Sequence, residues 1–311
     1  MGLDNWTTYN LTIYSLQFDN SFNAMRRFLL CTLCLFGVLC VSTYAQDTEN
    51  YGAVWTEVGA TKVLPYNLSL EGGVGFRTLD WFHDANRFDA SIGLGYKLGK
   101  YLKFGLSYTF IERRYLEKTE YKYAGDYDFS SYQGAVYVAP DGLSYDYEGY
   151  NIDGAHWAQR HRVSFDITAD KRFWKTLRIS LRERYQFTHQ SSRAVNRTKL
   201  REPSFDGNVV SYAEEEQTVK EKEAWNRHLL RSRLKFAIDK KGWNWEPFVS
   251  AELHNDLGNS WHLDKIRCAA GTEYAISKQH KVSAAYVFTH ENDDDGNENI
   301  HAISVGYKFK F

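Results

Sequence analysis

The feature that most limits what this chain can become is a two-residue alternation carried through long segments. In "RFDASIGLGYKLGK", Phe88, Ala90, Ile92, Leu94, Tyr96 and Leu98 share one face, and Arg87, Asp89, Ser91, Gly93, Gly95 and Lys97 share the other. The next segment, "YLKFGLSYTF", sets Leu102, Phe104, Leu106, Tyr108 and Phe110 against Lys103, Gly105, Ser107 and Thr109. Gly99-Lys100 between them reads as a tight hairpin turn. Successive side chains of a β-strand point to opposite faces, so this period specifies strands with one apolar and one polar face.

The same pattern predicts strands near 66–79, 86–98, 101–114, 157–170, 176–190, 226–239, 244–256, 263–276, 280–291 and 299–311, with a weaker candidate at 51–62 around Trp55 and Glu57. Connections alternate between short (99–100, 171–175, 240–243, 277–279) and long (80–86, 115–156, 191–225, 257–262, 292–298). Sandwich strands run about 5–6 residues. Segments about twice that length, with short turns at one end and long loops at the other, fit an all-β, antiparallel up-and-down transmembrane barrel with short periplasmic turns and long extracellular loops. Tryptophans add a second indication. Trp81, Trp157, Trp225 and Trp261 fall at long-loop ends, while Trp174, Trp243 and Trp245 fall at short-turn ends, as two interfacial belts would. A bacterial barrel is expected to have an even strand count. The sequence therefore predicts about ten strands, with twelve as the alternative, residues 46–62 as an N-terminal segment or first strand, and 63–311 as the barrel.

Alternation also averages polar with apolar residues, so mean hydropathy alone would mark the chain as soluble. No run of about 18 apolar residues occurs outside the N-terminal region, which argues against a helical membrane protein. The formal net charge of −1 argues against a nucleic-acid partner. Residues 25–45, "MRRFLLCTLCLFGVLCVSTYA", read as a signal peptide, with Arg26 and Arg27 ahead of an apolar stretch and Thr43-Tyr44-Ala45 as the cleavage site. Residues 1–24 are expected to come from a mis-called upstream start, with Met25 as the true one. Removal of the signal would take away Cys31, Cys34 and Cys40 and leave Cys268, so neither an intrachain disulfide nor a thiolate metal site is expected.

The polar faces carry the chemistry. One strand offers Arg160 and Arg162, the next Arg178, Arg182 and Arg184, and the third Arg231, Arg233 and Lys235. Their opposite faces are apolar, so this basic column should point into a lumen, faced by the acids Asp89, Asp166, Glu252 and Glu273. Two readings compete: a salt-bridged, plugged interior, and an anion-attracting constriction. Glu183 breaks the pattern on its strand's apolar face, which implies either a place near headgroups or a bulge. Pro247 sits within a strand and should lie near a rim. The 115–156 loop holds eight Tyr between Tyr121 and Tyr150, and over 116–156 eight acids against Lys118 and Lys122, a net of −6. It could bind a partner or fold back over the barrel. "ENDDDGNENI" fails as a calcium loop, because Ala302 stands where a bidentate Glu is required. His189, His254, His262 and His290 lie near the surface ends. From them a hydrolytic site built on His254, Asp256 and Ser260 can be drawn, although no nucleophile, phosphate-loop or metal-ligand motif accompanies it. No cofactor or metal is expected.

The chain ends on "HAISVGYKFKF", whose Val305, Tyr307, Phe309 and Phe311 alternate up to the last residue. A terminal Phe preceded by such a strand resembles the signal read by the outer-membrane barrel-assembly machinery. "GLGYKLGKYLKFGLSY", "RHRVSFDI", "LRERYQF", "HLLRSRLKF", "EPFVSAEL" and the early Trp55-x-Glu57 together resemble a family of small Gram-negative outer-membrane β-barrels registered as a domain of unknown function. The resemblance implies the fold and an outer-membrane location with lipid as surroundings, and it supplies no substrate or catalytic residue. The expected function is a narrow porin-like channel or surface-binding barrel for small polar or anionic solutes. The alternatives are an outer-membrane lipid or peptide hydrolase, and a structural or adhesive barrel with a plugged lumen.

Overall fold

The computed structural model describes residues 49–123, 136–138, 144–201, 205–206, 209–210, 216–258, 261–293 and 296–311. The expected leader 25–45 and Ser260 lie outside them, as does part of the Tyr-rich loop. The elements in chain order are β1 (Glu49–Val63), β2 (Leu68–Leu79), β3 (Asp84–Leu98), β4 (Leu102–Tyr115), β5 (Lys118–Tyr123), β6 (Val136–Val138), β7 (Ser144–Asp153), β8 (His156–Phe173), β9 (Leu177–Gln190), β10 (Arg193–Arg201), β11 (Phe205–Asp206), β12 (Val209–Val210), β13 (Glu216–Lys222), β14 (Trp225–Ile238), β15 (Trp245–Asp256), β16 (His262–Ala275), β17 (His280–Asp293) and β18 (Gly296–Lys310). Among the described residues there is no helix.

Eleven of these strands close a barrel in the order β1-β18-β17-β16-β15-β14-β9-β8-β4-β3-β2. The expected count of ten, and the alternative of twelve, are corrected to eleven. The weak candidate at 51–62 is a full strand, because its alternation places Tyr51, Trp55 and Glu57 inside and Val58 outside. With an odd count the first and last strands run in the same direction. β1 pairs β18 in parallel from Glu49↔Glu298 to Thr61↔Lys310, and every other barrel pair is antiparallel. Backbone bonds from Val63 N to Phe311 O and from Phe311 N to Thr61 O, each 3.0 Å, carry that seam to the last residue. Inside it, Ala53, Ala302 and Val287 form a small apolar filling.

The polarity of this barrel is inverted relative to a soluble protein. Among the described residues, second sheet included, thirteen polar or charged residues are buried against nine apolar ones, and Thr289, Gln190, Asn299, Ser164, Gln186 and Thr188 of the barrel are nearly inaccessible. The outer face exposes Phe88, Ile92, Leu94, Leu106, Val163, Phe165, Ile167, Leu181, Ile303 and Val305. Soluble monomers rarely expose contiguous apolar surface beyond a few hundred Å².

Turns at the short-turn end are tight. Gly99 (φ 64°) supplies the left-handed backbone its turn needs. Tyr66-Asn67 and Trp174-Lys175 adopt positive φ at both positions without glycine, a conformation that costs L-residues roughly 1–2 kcal/mol each. At the opposite end, Gly52 admits the Trp81 ring, which a Cβ there would strike.

The two longest connections are more than loops. β5, β7, β10 and β13 pair in the order β13-β10-β7-β5, with β6 beside β7. That order matches β14-β9-β8-β4 in the barrel, and each is separated from its barrel neighbour by two residues in the chain (116–117, 154–155, 191–192, 223–224). Four adjacent barrel strands thus continue as a second sheet beyond the long-loop rim. Asp153 is its anchor. The carboxylate accepts from Arg197 Nε at 2.5 Å and Lys222 Nζ at 2.6 Å.

Candidate functional site

The site is the barrel interior, and it is built by parity: every second residue of each barrel strand faces inward. A cavity of about 890 Å³ is lined from Trp225, Asp264 and Glu298 towards the long-loop end to Glu71, Glu273 and Lys308 towards the short-turn end. Fifteen Lys and Arg but nine Asp and Glu line it, an excess of six cations in a chain with a formal net charge of −1. Cations are therefore concentrated inside.

Part of this charge is neutralised in a knot around Glu252. Its carboxylate accepts from Arg231 Nε at 2.7 Å and from a terminal nitrogen of the same guanidinium. Arg182 donates at 3.1 Å, and His254 Nε2 lies 2.8 Å away. Arg231 also reaches Gln186 Oε1 at 3.3 Å. Further pairs are Arg87–Asp89 at 2.9 Å, Arg184–Asp166, Lys265–Glu291, and Glu273 between Lys235 at 2.6 Å and Lys281 at 2.8 Å.

Six other lining guanidiniums, Arg77, Arg113, Arg160, Arg162, Arg233 and Arg267, have no such partner among the described residues. Arg162 donates to Thr188 Oγ1 at 3.0 Å, and Arg267 to Thr289 Oγ1 at 3.2 Å. Arg77 and Arg267 both lie over the Trp55 ring, at 4.5 and 4.9 Å from its centroid. Among the described residues none of Arg77, Arg162, Arg233 and Arg267 meets a carboxylate within ion-pair distance. Arg77, Arg162 and Arg267 come from three different strands and line the same cavity as Arg231. Guanidiniums whose donors are not taken up by carboxylates are available to an anion.

The long-loop mouth has a second basic group. Tyr115 is surrounded by Arg113, Arg160 and Arg193, with guanidinium carbons 5.6, 5.5 and 4.7 Å from its ring centre, and it stacks on His156 at 5.1 Å. Its hydroxyl donates to Gln190 Oε1 at 3.0 Å, and Arg160 Nε donates to the same oxygen at 2.7 Å. Beyond this mouth, burial opposes the charge on Asp153, but the hydrogen bonds from Arg197 and Lys222 outweigh it and hold the carboxyl well below the usual carboxylate range.

Arg160, Arg162, Arg182, Arg184, Arg231, Arg233 and Lys235 line the cavity together with Asp89, Asp166, Glu252 and Glu273. Arg178 does not. It is held near the short-turn end by Asp170 at 2.8 Å and Glu246 at 3.4 Å. Sequence reading missed Arg77, Arg87, Arg113, Arg227, Lys265 and Arg267, although each shares the inward parity of its strand. Trp225 is a correction. Two residues before Arg227 and six before Arg231, it faces inward, 4.9 Å beneath Arg160, and is no part of an outer belt. Trp81, Trp157 and Trp261 are exposed at one end, and Trp174, Trp243 and Trp245 at the other. No bulge disturbs Glu183, since β9 is in unbroken register with β8 and β14. It stays on the outer face and accepts from Ser232 Oγ at 2.6 Å. Pro247 sits near the start of β15, opposite Thr272.

Of the hydrolytic candidates, Ser260 lies outside the described residues, and His254 and Asp256 are bonded to other partners. His254 faces inward against Glu252, while Asp256 accepts from Arg227 Nε at 2.7 Å and Gly258 N at 2.8 Å. His189 and His290 bond Asn226 and Asn299, and His262 is exposed. Among the described residues no cluster of His, Cys, Asp and Glu could hold a metal ion.

Comparison with known proteins places the chain in a family: it belongs to the family described as "Protein of unknown function (DUF2490)", whose model matches residues 52–300. No curated protein matches it. Among solved structures it is similar to the beta domain of the Bordetella autotransporter Brka, with 11% identity over 78% of this chain and 82% of that one and a TM-score of 0.40. It is likewise similar to the translocator domain of autotransporter NalP from Neisseria meningitidis, with 10% identity over 88% of this chain and 93% of that one and a TM-score of 0.40.

Proposed function

We propose that this protein is an integral outer-membrane β-barrel whose lumen admits or binds small anionic solutes. The observation that carries the reading is the lining of the cavity: fifteen cations against nine acids, with Arg77, Arg162, Arg233 and Arg267 free of carboxylates. An apolar exterior around a polar interior supports the membrane setting, because hydrocarbon tolerates the first and the closed ladder satisfies the backbone. In this setting the short turns are periplasmic, and β1 begins at the extracellular rim. The segment 25–45 would direct export, and the alternation Val305, Tyr307, Phe309, Phe311 would be read by the barrel-assembly machinery. Rings of Arg in a water-filled pore raise the local anion concentration and bias permeation.

Planar-bilayer recording under a KCl gradient tests this. The expected result is an anion-biased reversal potential that moves towards zero in Arg77→Gln/Arg162→Gln/Arg267→Gln. A cation-biased potential, or no conductance together with no anion binding by the purified barrel, overturns it. The latter outcome fits a plugged structural barrel.

A further inference from the structure

Five of the ten histidines, His161, His189, His228, His290 and His301, stand on the outer face near the long-loop ends of their strands. Parity places them there. His161 precedes the exposed Val163 by two residues, His301 precedes the exposed Ile303 by two, and His290 follows the exposed Tyr286 by four. Each ring is fixed in the same way. Nδ1 is hydrogen-bonded to a neighbouring strand: to Tyr108 (2.7 Å), Asn226 (2.8 Å), Tyr185 (2.7 Å), Asn299 (2.9 Å) and Tyr286 (2.6 Å) in the order above.

Three of the five repeat a larger unit. His161, His228 and His301 each lie directly opposite a phenylalanine, Phe110, Phe187 and Phe288, while the tyrosine two residues before that phenylalanine supplies the hydroxyl. His161 and His189 are themselves cross-strand neighbours, and Asn226 opposes His189. The first three rings therefore form one patch over β8, β9 and β14, and His290 with His301 forms a second over β17 and β18. In all five, Nε2 is the nitrogen left without a partner among the described residues.

We propose that this histidine collar binds the phosphate groups of the lipid surrounding the barrel. The proposal rests on the membrane reading above and adds a partner for the outer wall. Towards the short-turn end from the collar the wall is apolar, through Val163, Phe165 and Ile167 and through Ile303 and Val305, while Trp157 and Trp81 stand nearer the long-loop rim. That is the height where hydrocarbon gives way to headgroups. Aromatic residues alone suffice to anchor a barrel at this level, so ionisable rings held in one orientation call for a partner. With Nδ1 anchored the ring is held, and at His161, His228 and His301 a tyrosine hydroxyl that donates to Nδ1 leaves Nε2–H as a free donor. Phosphate oxygens accept that bond. At the short-turn end the same unit occurs with His280, Tyr307 and Phe309, as one ring and no patch.

Native mass spectrometry of the full barrel in dodecyl maltoside tests the collar. The probes are diphosphorylated lipid A and the same glycolipid stripped of phosphate. The native protein should prefer the phosphorylated form about tenfold, the equivalent of one charge-assisted hydrogen bond. Replacing all five collar histidines, His161, His189, His228, His290 and His301, by Phe should abolish that preference, while His280→Phe should leave it intact. His161→Arg/His301→Arg, which keeps a cationic donor in each patch, should retain the preference and guards against a fivefold variant that does not fold. Equal binding of the two lipids by native protein, or a fivefold variant that keeps its preference, overturns the collar. Insertion into lipid vesicles is scored separately. Failure to insert would overturn the membrane reading, whereas insertion without phosphate preference overturns the collar alone.

Discussion

Replacing Glu252 by Gln should show how much of the barrel's stability lies in its wall and how much in its lumen. Glu252 takes hydrogen bonds from Arg231 and Arg182 and lies against His254. The side chains of Glu252, Arg231 and Arg182 are only 6%, 12% and 14% exposed. Glutamine keeps the shape and one acceptor oxygen but removes the charge that balances two guanidiniums. Breaking a fully buried ion pair from one side costs about 3–5 kcal/mol. Water in a cavity of about 890 Å³ would screen part of that loss, so the expected destabilisation is about 2–3 kcal/mol. Among the described residues Asp89 is ion-paired with Arg87 alone, at 2.9 Å, and Asp89→Asn should cost about 1 kcal/mol. Urea unfolding of the barrel in micelles, followed by tryptophan fluorescence, measures both. Glu252→Gln should also increase anion bias in the bilayer, since the lumen loses an acid. If it unfolds within about 0.5 kcal/mol of native protein, or no earlier than Asp89→Asn, the knot is not a stabilising centre and the argument fails.

The parallel seam is testable by cysteine pairing: Val54→Cys with Ile303→Cys, Cα partners on β1 and β18, should cross-link on oxidation, and a ten-stranded barrel would give no cross-link. The depressed carboxyl of Asp153 makes the second sheet acid-sensitive. Its stabilisation is complete above the ordinary carboxylate pKa of about 4 and is lost as pH falls from there through the folded value. Hydrogen exchange of β7 and β10 should rise over that window in native protein and should lack the pH dependence in Asp153→Asn. Lys175→Gly should relieve positive-φ strain in its turn and stabilise the barrel by about 1 kcal/mol in urea unfolding. Trp55→Ala should enlarge the lumen and release Arg77 and Arg267, raising single-channel conductance. Unchanged conductance would place Trp55 outside the permeation path.

Much of this protein is local and therefore legible. Pleating forces alternate side chains to opposite faces, so Phe88 to Leu98 and Arg160 to Lys235 reveal which way they point without any knowledge of what they meet. The basic column was readable for that reason. Trp225 was readable in principle, but its position at a strand end outweighed its parity.

What the sequence could not determine is pairing across the circle. Local alternation says nothing of which strand closes the barrel, so a weak first segment looked dispensable until β1 met β18 in parallel. The union of two loops into one sheet, and Asp153 between Arg197 and Lys222, likewise join residues far apart in the chain. The partners of the lumen cations depend on register accumulated strand by strand around a tilted barrel, which no window of sequence contains. Sequence alone therefore determined a barrel with charge inside and apolar residues outside. Tertiary structure decided that there are eleven strands, that Glu252 gathers Arg231 and Arg182, and that Arg77, Arg162, Arg233 and Arg267 are left facing the cavity without an acid.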